Sequence, residues 1–224
     1  METTTLKKNL SAIVAMIFIV TVSSIGYIKI GWPPVIIVGG SGLIGWIFWY
    51  FTYLKRSVDP KVILPLFVLT VVSLQIHMIE EYLTGFGPAV SRLFEIPWTE
   101  KGFVVVFTLI GPMMYMLTAL GLFFRFPLAG FIAWFIFIGP GFAEFTHFIF
   151  PLLEPSIQPN NPERVSQIIN GVMLSDMPNY YLKTTGEYYF SGLYTAVLPM
   201  LPGGYAIFKL VKHHIENRVR VFST

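Results

Sequence analysis

The sequence predicts an all-α fold, a polytopic transmembrane bundle of six helices with both termini in the cytoplasm. Apolar residues make up 54% of the 224 residues and charged residues only 12%, whereas soluble domains contain about 25% charged residues. Six uncharged runs, each close to the ~20 residues that cross a bilayer, lie between the few charges. Because these runs occupy nearly the whole chain, we predict a single integral-membrane domain over residues 1–224.

The first three predicted spans cover about residues 9–30, 34–54 and 62–83. Lys29 lies at the end of the first span, and the charged segment 55–61 separates the second from the third. A cleaved signal peptide is the alternative for the first run, because two lysines precede it, and cleavage would leave five spans without moving the others. The apolar character continues to Ile30, which favours a span.

The last three predicted spans cover about residues 102–124, 127–152 and 189–210, and the long outer loop 153–188 precedes the sixth span. Within this loop, apolar residues at helical spacing predict a short amphipathic surface helix near 163–174.

Proline and glycine interrupt each of these last three spans, at Gly111-Pro112, at 139–141 and at Pro199 and Pro202. A proline kink is tolerated in a membrane where neighbouring groups satisfy the freed carbonyls, so we expect a cavity beside these kinks.

Orientation follows from the basic residues. Ten of the fifteen lie on the side that carries both termini: Lys7, Lys8, Lys55, Arg56, Lys61, Arg125, Lys209, Lys212, Arg218 and Arg220. The positive-inside rule therefore predicts cytoplasmic termini, and we assign the chain to a prokaryotic plasma membrane. The bilayer, and no nucleic acid, is the partner that this distribution indicates.

The chain contains no cysteine, which excludes disulfides, a thiol nucleophile and every thiolate-ligated cofactor. Any metal must then be bound by nitrogen and oxygen.

Five ionisable residues lie within the predicted spans, where each costs roughly 2.5–3.5 kcal/mol on insertion scales. His77, Glu80 and Glu81 share one sector of the third span, and Glu144 and His147 are one turn apart in the fifth. Because the two spans run in the same direction, we expect both clusters at nearly the same depth, towards the outer leaflet.

Glu144-x-x-His147 has the order used by di-iron and di-manganese carboxylate bundles, while His77-x-x-Glu80 reverses it. We therefore predict metal ligation by His77, Glu80, Glu81, Glu144 and His147, in a di-metal carboxylate centre or a simpler one, with iron, manganese or zinc as the ion. Two alternatives stay open: Glu80 and Glu81 solvated at the outer interface, and Glu144 with His147 as a structural ion pair.

The run His77-Met78-Ile79-Glu80-Glu81 resembles the motif that names the HXXEE-motif family of multi-pass membrane proteins. Glu144 with His147, and the segment 189–196 at the start of the last span, are also similar to that family, and the resemblance covers about residues 66–210. It implies the fold and the site but no reaction, and the glutamate at position 144 departs from the family's usual pattern.

The chain also resembles, more weakly, the emopamil-binding sterol isomerases, onto whose scheme His77, Glu81 and Glu144 can be placed. That resemblance implies a carboxylic acid that protonates a carbon–carbon double bond and a second group that removes a neighbouring proton.

We therefore predict a membrane-embedded enzyme for a hydrophobic lipid or isoprenoid-like substrate, with His77, Glu81 and Glu144 as catalytic groups. It would be an oxidoreductase or desaturase with a metal, or an isomerase without one. The alternative from another class is a non-catalytic accessory subunit with partners in a larger membrane complex. A proton-coupled transporter is disfavoured, because the inner halves of the spans lack charged residues.

Overall fold

Helices make up most of the computed structural model, which describes residues 2–157, 168–169 and 172–222. In chain order they are α1 (Glu2–Ile30), α2 (Val35–Phe51), α3 (Pro60–Leu83), α4 (Phe86–Phe94), α5 (Glu100–Phe123), α6 (Pro127–Leu152), α7 (Leu182–Thr185) and α8 (Val197–Phe222). Two short strands, β1 (Ile168–Ile169) and β2 (Val172–Met173), pair in antiparallel fashion in the outer loop.

Four of these helices, α1, α3, α5 and α6, are long and apolar enough to cross a membrane, and α2 is a shorter apolar helix. Large apolar side chains such as Leu69 and Leu117 are exposed along them, as expected where a surface faces lipid rather than water. The chain therefore has the all-α architecture of an integral membrane protein.

The predicted span 189–210 is not a single helix. Residues 187–190 have no regular secondary structure, residues 191–196 form turns, and α8 begins only at Val197. Gly186 and Gly192 adopt φ values of 74° and 87°, a left-handed conformation that interrupts helical hydrogen bonding. The uncharged part of α8 ends at Lys209. It is shorter than a bilayer span, so α8 is not one of the four helices that could cross a membrane alone.

Helix α3 has a defined start and end. The Asp59 side chain accepts a hydrogen bond from the Lys61 backbone N–H at 2.9 Å, and Pro60 occupies the first turn, which together favour helix initiation. The helix ends at Leu83, before Gly85 with φ of 74°. Along its length α3 packs on α8, its most extensive partner.

Helix α6 is regular only over Pro127–Ile136. A π-helical turn, Phe137–Gly141, contains Pro140, and a 3-10 helix, Phe142–Phe148, follows. Proline lacks the N–H that an α-helix needs and its ring clashes with the carbonyl four residues before it, which explains the change of winding at this point. The irregular half of α6 packs against α8.

The outer loop differs from the surface helix predicted near 163–174. Residues 163–167 lie outside the described part of the chain, and where the description resumes Ile168 pairs with Met173 and Ile169 with Val172. The Asn-Gly dipeptide between these pairs in the sequence favours a two-residue hairpin connection. The described residues on either side of this dipeptide therefore form strands and not the predicted helix.

Candidate metal centre

Helix α3 contributes His77 and Glu81, which are one turn apart and face the interior. His77 is 0% exposed and Glu81 is 2% exposed. An ionised or strongly polar side chain at such burial needs partners, so these positions are expected to face other polar groups rather than lipid.

Helix α6 contributes Glu144 and His147 from its 3-10 segment. In a 3-10 helix residues i and i+3 lie directly above one another, and this places the two side chains in line: His147 Nε2 is 3.0 Å from Glu144 Oε2. The kink after Pro140 therefore produces the winding that aligns the pair.

The two pairs converge on one point, as the sequence predicts. His77 Nε2 lies 3.6 Å from Glu81 Oε1 and 3.3 Å from Glu144 Oε2, and His147 Nε2 lies 3.2 Å from Glu81 Oε1. One ligand atom from each residue lies within 4.8 Å of all the others. The predicted catalytic residues His77, Glu81 and Glu144 are thus together, with His147 as a fourth member.

Hydrogen bonds on the far side of each imidazole ring determine which nitrogen carries the proton. His147 Nδ1 is 2.7 Å from the Ser191 carbonyl oxygen, which can only accept, so Nδ1 must donate. His77 Nδ1 is 3.0 Å from Thr195 Oγ1, and that hydroxyl gives its own proton to Glu80 Oε2 at 2.6 Å. His77 Nδ1 therefore donates as well.

In their neutral forms both histidines consequently present the lone pair of Nε2 to the centre, opposite two carboxylate oxygens. Four electron-pair donors cannot satisfy one another. Among the residues that the structure describes, His77 Nε2 and Glu81 Oε2 have no hydrogen-bond partner, although both atoms are buried. A buried arrangement of this kind requires a cation at its centre or extra protons on the rings.

The spacing of the four atoms fits a single metal ion. Ligands at ~2.1 Å from one ion are separated by about 3.0–3.4 Å in octahedral or tetrahedral coordination, and the four His–Glu distances run from 3.0 to 3.6 Å. The outer Nδ1 hydrogen bonds are also what metal-binding histidines usually have, because they hold the ring orientation.

Glu80 does not join this group. Its Oε1 accepts hydrogen bonds from the Tyr189 hydroxyl and the Tyr194 N–H at 3.0 and 3.3 Å, and its Oε2 accepts from the N–H and Oγ1 of Thr195 at 2.8 and 2.6 Å. The carboxylate thereby anchors the non-helical segment before α8. It acts on the centre through Thr195, which in turn contacts His77.

Gly192 lies directly against the centre, a role that the sequence does not indicate beyond the place of this residue in the 189–196 segment. A Cβ at this position would lie 2.7 Å from His77 Cε1, 2.8 Å from Glu81 Cγ and 2.9 Å from His147 Cε1. Backbone without a side chain is therefore required where the two rings and the carboxylate meet. The neighbouring Ser191 holds this backbone close to α3, because its hydroxyl donates to the Glu81 carbonyl oxygen at 3.1 Å.

Two further residues support the segment through contacts that the sequence does not indicate: Thr84, and Tyr189 from the segment 189–196 itself. Thr84 Oγ1 lies 2.6 Å from Ser191 Oγ, and Tyr189 binds Glu80. Both contacts join residues more than 100 positions apart, so no local pattern could have indicated them.

Aromatic rings enclose the centre on the side of His147. The ring centroids of Phe86, Phe150 and Phe190 lie 5.4, 5.6 and 6.4 Å from that of His147, and such a shell limits access of water. The side chain of Glu144 is 14% exposed, compared with 3% or less for the other three. The centre is therefore most open at Glu144, beside the exposed rings of Phe142 and Phe145.

Comparison of the chain with protein-family models, with curated proteins and with solved structures finds no match in any of the three. The resemblance to the HXXEE-motif family and to the sterol isomerases therefore stays a prediction, and the function has to be argued from the site.

Proposed function

We propose that the chain is a membrane-embedded enzyme whose centre binds one metal ion through His77, Glu81, Glu144 and His147. The observation that supports this most strongly is the convergence of two imidazole lone pairs and two carboxylate oxygens at a buried point. Glu80 is proposed as a residue that positions His77 through Thr195 rather than as a ligand.

The donor set favours iron, manganese or zinc, because two imidazoles and two carboxylates without thiolate suit these ions. One ion is favoured over the di-metal centre considered from the sequence. Di-metal carboxylate bundles use a glutamate from each of two helices in addition to two Glu-x-x-His motifs, whereas two glutamates converge here among the described residues.

A hydrophobic substrate is favoured by where the centre opens. Glu144 is the most exposed of the four residues, and Phe142 and Phe145, which flank it in the chain, are 47% and 40% exposed. A lipid or isoprenoid-like molecule can approach from the bilayer along these rings, whereas a hydrated polar substrate would have to lose its water there.

A bound iron or manganese would supply redox chemistry for oxidation or desaturation, with an electron acceptor as co-substrate, and zinc would supply Lewis acidity. The chain itself contributes a dry site, fixed rings and Glu144 as the carboxylate best placed to exchange a proton with the substrate. Without a metal, Glu81 and Glu144 are the acid and base of the isomerase alternative.

The proposal includes six spans with both termini in the cytoplasm. The sixth crossing would combine the non-helical segment 187–196 with the uncharged start of α8. Non-helical backbone at membrane depth is tolerated where it is buried in protein, and Phe190, Ser191 and Leu193 of this segment are buried.

Metal analysis of the purified protein tests the proposal. We expect close to one equivalent of iron, manganese or zinc in the native chain and loss of at least nine-tenths of it in His147→Ala, on the order expected when a ligand is removed. His213→Ala, a histidine at the far end of α8, is the matched control and should keep the metal. Glu144→Gln tests the same point with a smaller change of shape.

Absence of metal from the native chain, together with no uptake when each ion is supplied, would overturn the metal centre.

Lipid extracts incubated with the native chain and with Glu144→Gln then identify the reaction by mass spectrometry. Loss of hydrogen or gain of oxygen indicates oxidation, and rearrangement at constant mass indicates isomerisation. If alanine at His77 and Glu144 altered stability and complex assembly without loss of turnover, the accessory-subunit role would be favoured instead.

A further inference from the structure

An open apolar groove lies on the surface formed by α1, α5 and α6. Its volume is about 790 Å³, within the range of about 300–1,000 Å³ that is typical of ligand-binding pockets. Helix α6 packs against both α1 and α5, so the first turns of α6 form the floor between the other two helices. Ser11 of α1, Met113 and Leu117 of α5, and Phe126 and Ile132 of α6 are among the lining residues.

The groove has about the length of one membrane leaflet. On α5 its lining residues run from Ile110, in the middle of the helix, to Gly121 near the end. At ~1.5 Å per residue this stretch covers roughly 16 Å, which is about half of the ~30 Å hydrocarbon core. Because Ser11 is near the start of α1, the groove lies in the leaflet that contains the N-terminal end of this helix.

The walls of the groove favour an acyl chain as the occupant. Among the described residues that line it, Ser11 and Thr118 have polar side chains, and the others are apolar or glycine. The Ser11 hydroxyl already donates to the Lys7 carbonyl oxygen at 3.0 Å. Ordered water needs two to four polar partners, and an empty groove would forfeit dispersion contacts. In a bilayer, a lipid chain is the molecule that can fill such a space.

Basic residues lie at the end of the groove nearest the start of α1. Arg125 is in the connection between α5 and α6, immediately before the first lining residues of α6, and it is exposed. Lys7 is also exposed, one turn before Ser11. Lys8 Nζ donates to the Lys55 carbonyl oxygen at 3.1 Å, so the chain after α2 adds its cations to the same end. Such a cluster attracts the phosphate of an anionic lipid.

We propose that the groove binds one phospholipid with an anionic headgroup, with an acyl chain along α5 and the phosphate near Arg125. Residues 6–58 and 102–143, which supply the groove and these cations, contain no Asp or Glu. Because every acyl chain of the bilayer is equally apolar, packing in the groove does not distinguish one phospholipid from another. The charge of the headgroup therefore determines which lipid binds.

This lipid is distinct from the substrate of the metal centre. Ile132 is the last lining residue on α6, and Glu144 lies roughly 18 Å further along the helix at ~1.5 Å per residue. The groove and the centre are thus in opposite leaflets.

Native mass spectrometry of the full chain in detergent tests the choice of headgroup. We expect the native chain to bind one phosphatidylglycerol with saturation, and to bind phosphatidylcholine with the same acyl chains at least about fivefold more weakly, the contribution of one cation near a membrane surface. Arg125→Gln should bind phosphatidylglycerol about fivefold more weakly and phosphatidylcholine as the native chain does. Lys61→Gln, an exposed lysine at the start of α3, should bind both lipids as the native chain does.

Ser11→Phe tests the groove itself, because the larger side chain fills the space of the lipid chain. Binding of phosphatidylglycerol should fall about tenfold, the scale of forcing extra atoms into an occupied site. Ile13→Phe is the matched control, since Ile13 is exposed on α1 and does not line the groove, and it should bind as the native chain does.

Equal binding of the two lipids by the native chain would overturn the proposal, as would equal binding of phosphatidylglycerol by Ser11→Phe and Ile13→Phe. Arg125→Gln changes only an exposed side chain, so the headgroup test does not depend on the folding of Ser11→Phe. Neither test requires a bound metal, so failure of this site and failure of the metal centre are distinguishable.

Discussion

Glu80 and Glu81 are neighbours in α3, yet their carboxylates have different partners. Glu81 faces the histidines, and Glu80, about 100° further round the helix, receives four hydrogen bonds from Tyr189, Tyr194 and Thr195. At the level of single residues, one carboxylate therefore serves the centre directly, and the other fixes the segment that closes it.

Glu80→Gln should weaken metal binding without abolishing it. The amide replaces one acceptor oxygen by a donor, which opposes the donors of Thr195 and disturbs the orientation of His77. Loss of an outer hydrogen bond of this kind lowers metal affinity by about 10–100-fold. Competition with a chromogenic chelator measures the change, and Glu100→Gln, an exposed glutamate, is the control. Affinity equal to that of the control would contradict the positioning role.

Gly192→Ala should damage the centre more than its small size indicates. The added methyl would lie within 2.7–2.9 Å of both rings and of Glu81, at a φ of 87°, and such strain costs on the order of 1–3 kcal/mol. We expect a lower unfolding midpoint and a reduced metal content. Gly204→Ala, where the nearest atom would be 3.4 Å away, should change neither. Full metal content in Gly192→Ala would show that the backbone does not need this close approach.

At the level of elements, the irregular half of α6 determines the direction of the Glu144 and His147 side chains. Pro140→Ala restores a backbone N–H and should allow the π-helical turn to become regular, which rotates Glu144 and His147 away from His77. We expect at least tenfold weaker metal binding, on the scale of a displaced ligand, with helix content by circular dichroism preserved or raised. Pro65→Ala, the corresponding interior proline of α3, should leave the affinity unchanged. Unchanged affinity in Pro140→Ala would show that packing alone aligns the pair.

The same elements show how far the sequence predicts this fold. The sequence predicts both pairs, His77 with Glu81 and Glu144 with His147, because ionisable residues at helical spacing are rare in apolar spans. The break at 187–196 was not identified, since an uncharged run of this length is typical of a continuous helix. Its conformation depends on Gly192 and on hydrogen bonds to Glu80 and Thr84, which are distant in the sequence.

At the scale of the whole molecule, the number of membrane crossings decides the topology. In the described part of the chain, four helices have the length and hydropathy of a span. If α2 and the combined segment 187–208 also cross, the count is six and both termini share one side. If the combined segment does not cross, α8 ends on the outer side instead. The basic residues near the end of α8 favour the first arrangement.

Single cysteines distinguish the two arrangements, since the chain has no cysteine of its own. Introduced at the exposed positions Ser57, Thr184 and Glu216, they report on the connection after α2, on the outer loop and on the end of α8. With a membrane-impermeant maleimide on intact cells, we expect labelling at 184 only, and labelling at all three after permeabilisation. Labelling at 216 in intact cells would show that α8 does not cross, and labelling at 57 but not at 184 would reverse the orientation. A crossing at 187–208 brings non-helical backbone into the bilayer, where its N–H and C=O groups need hydrogen-bond partners from the protein. Glu80 accepts from the backbone N–H groups of Tyr194 and Thr195, so labelling only at 184 would give this carboxylate a role in the crossing itself.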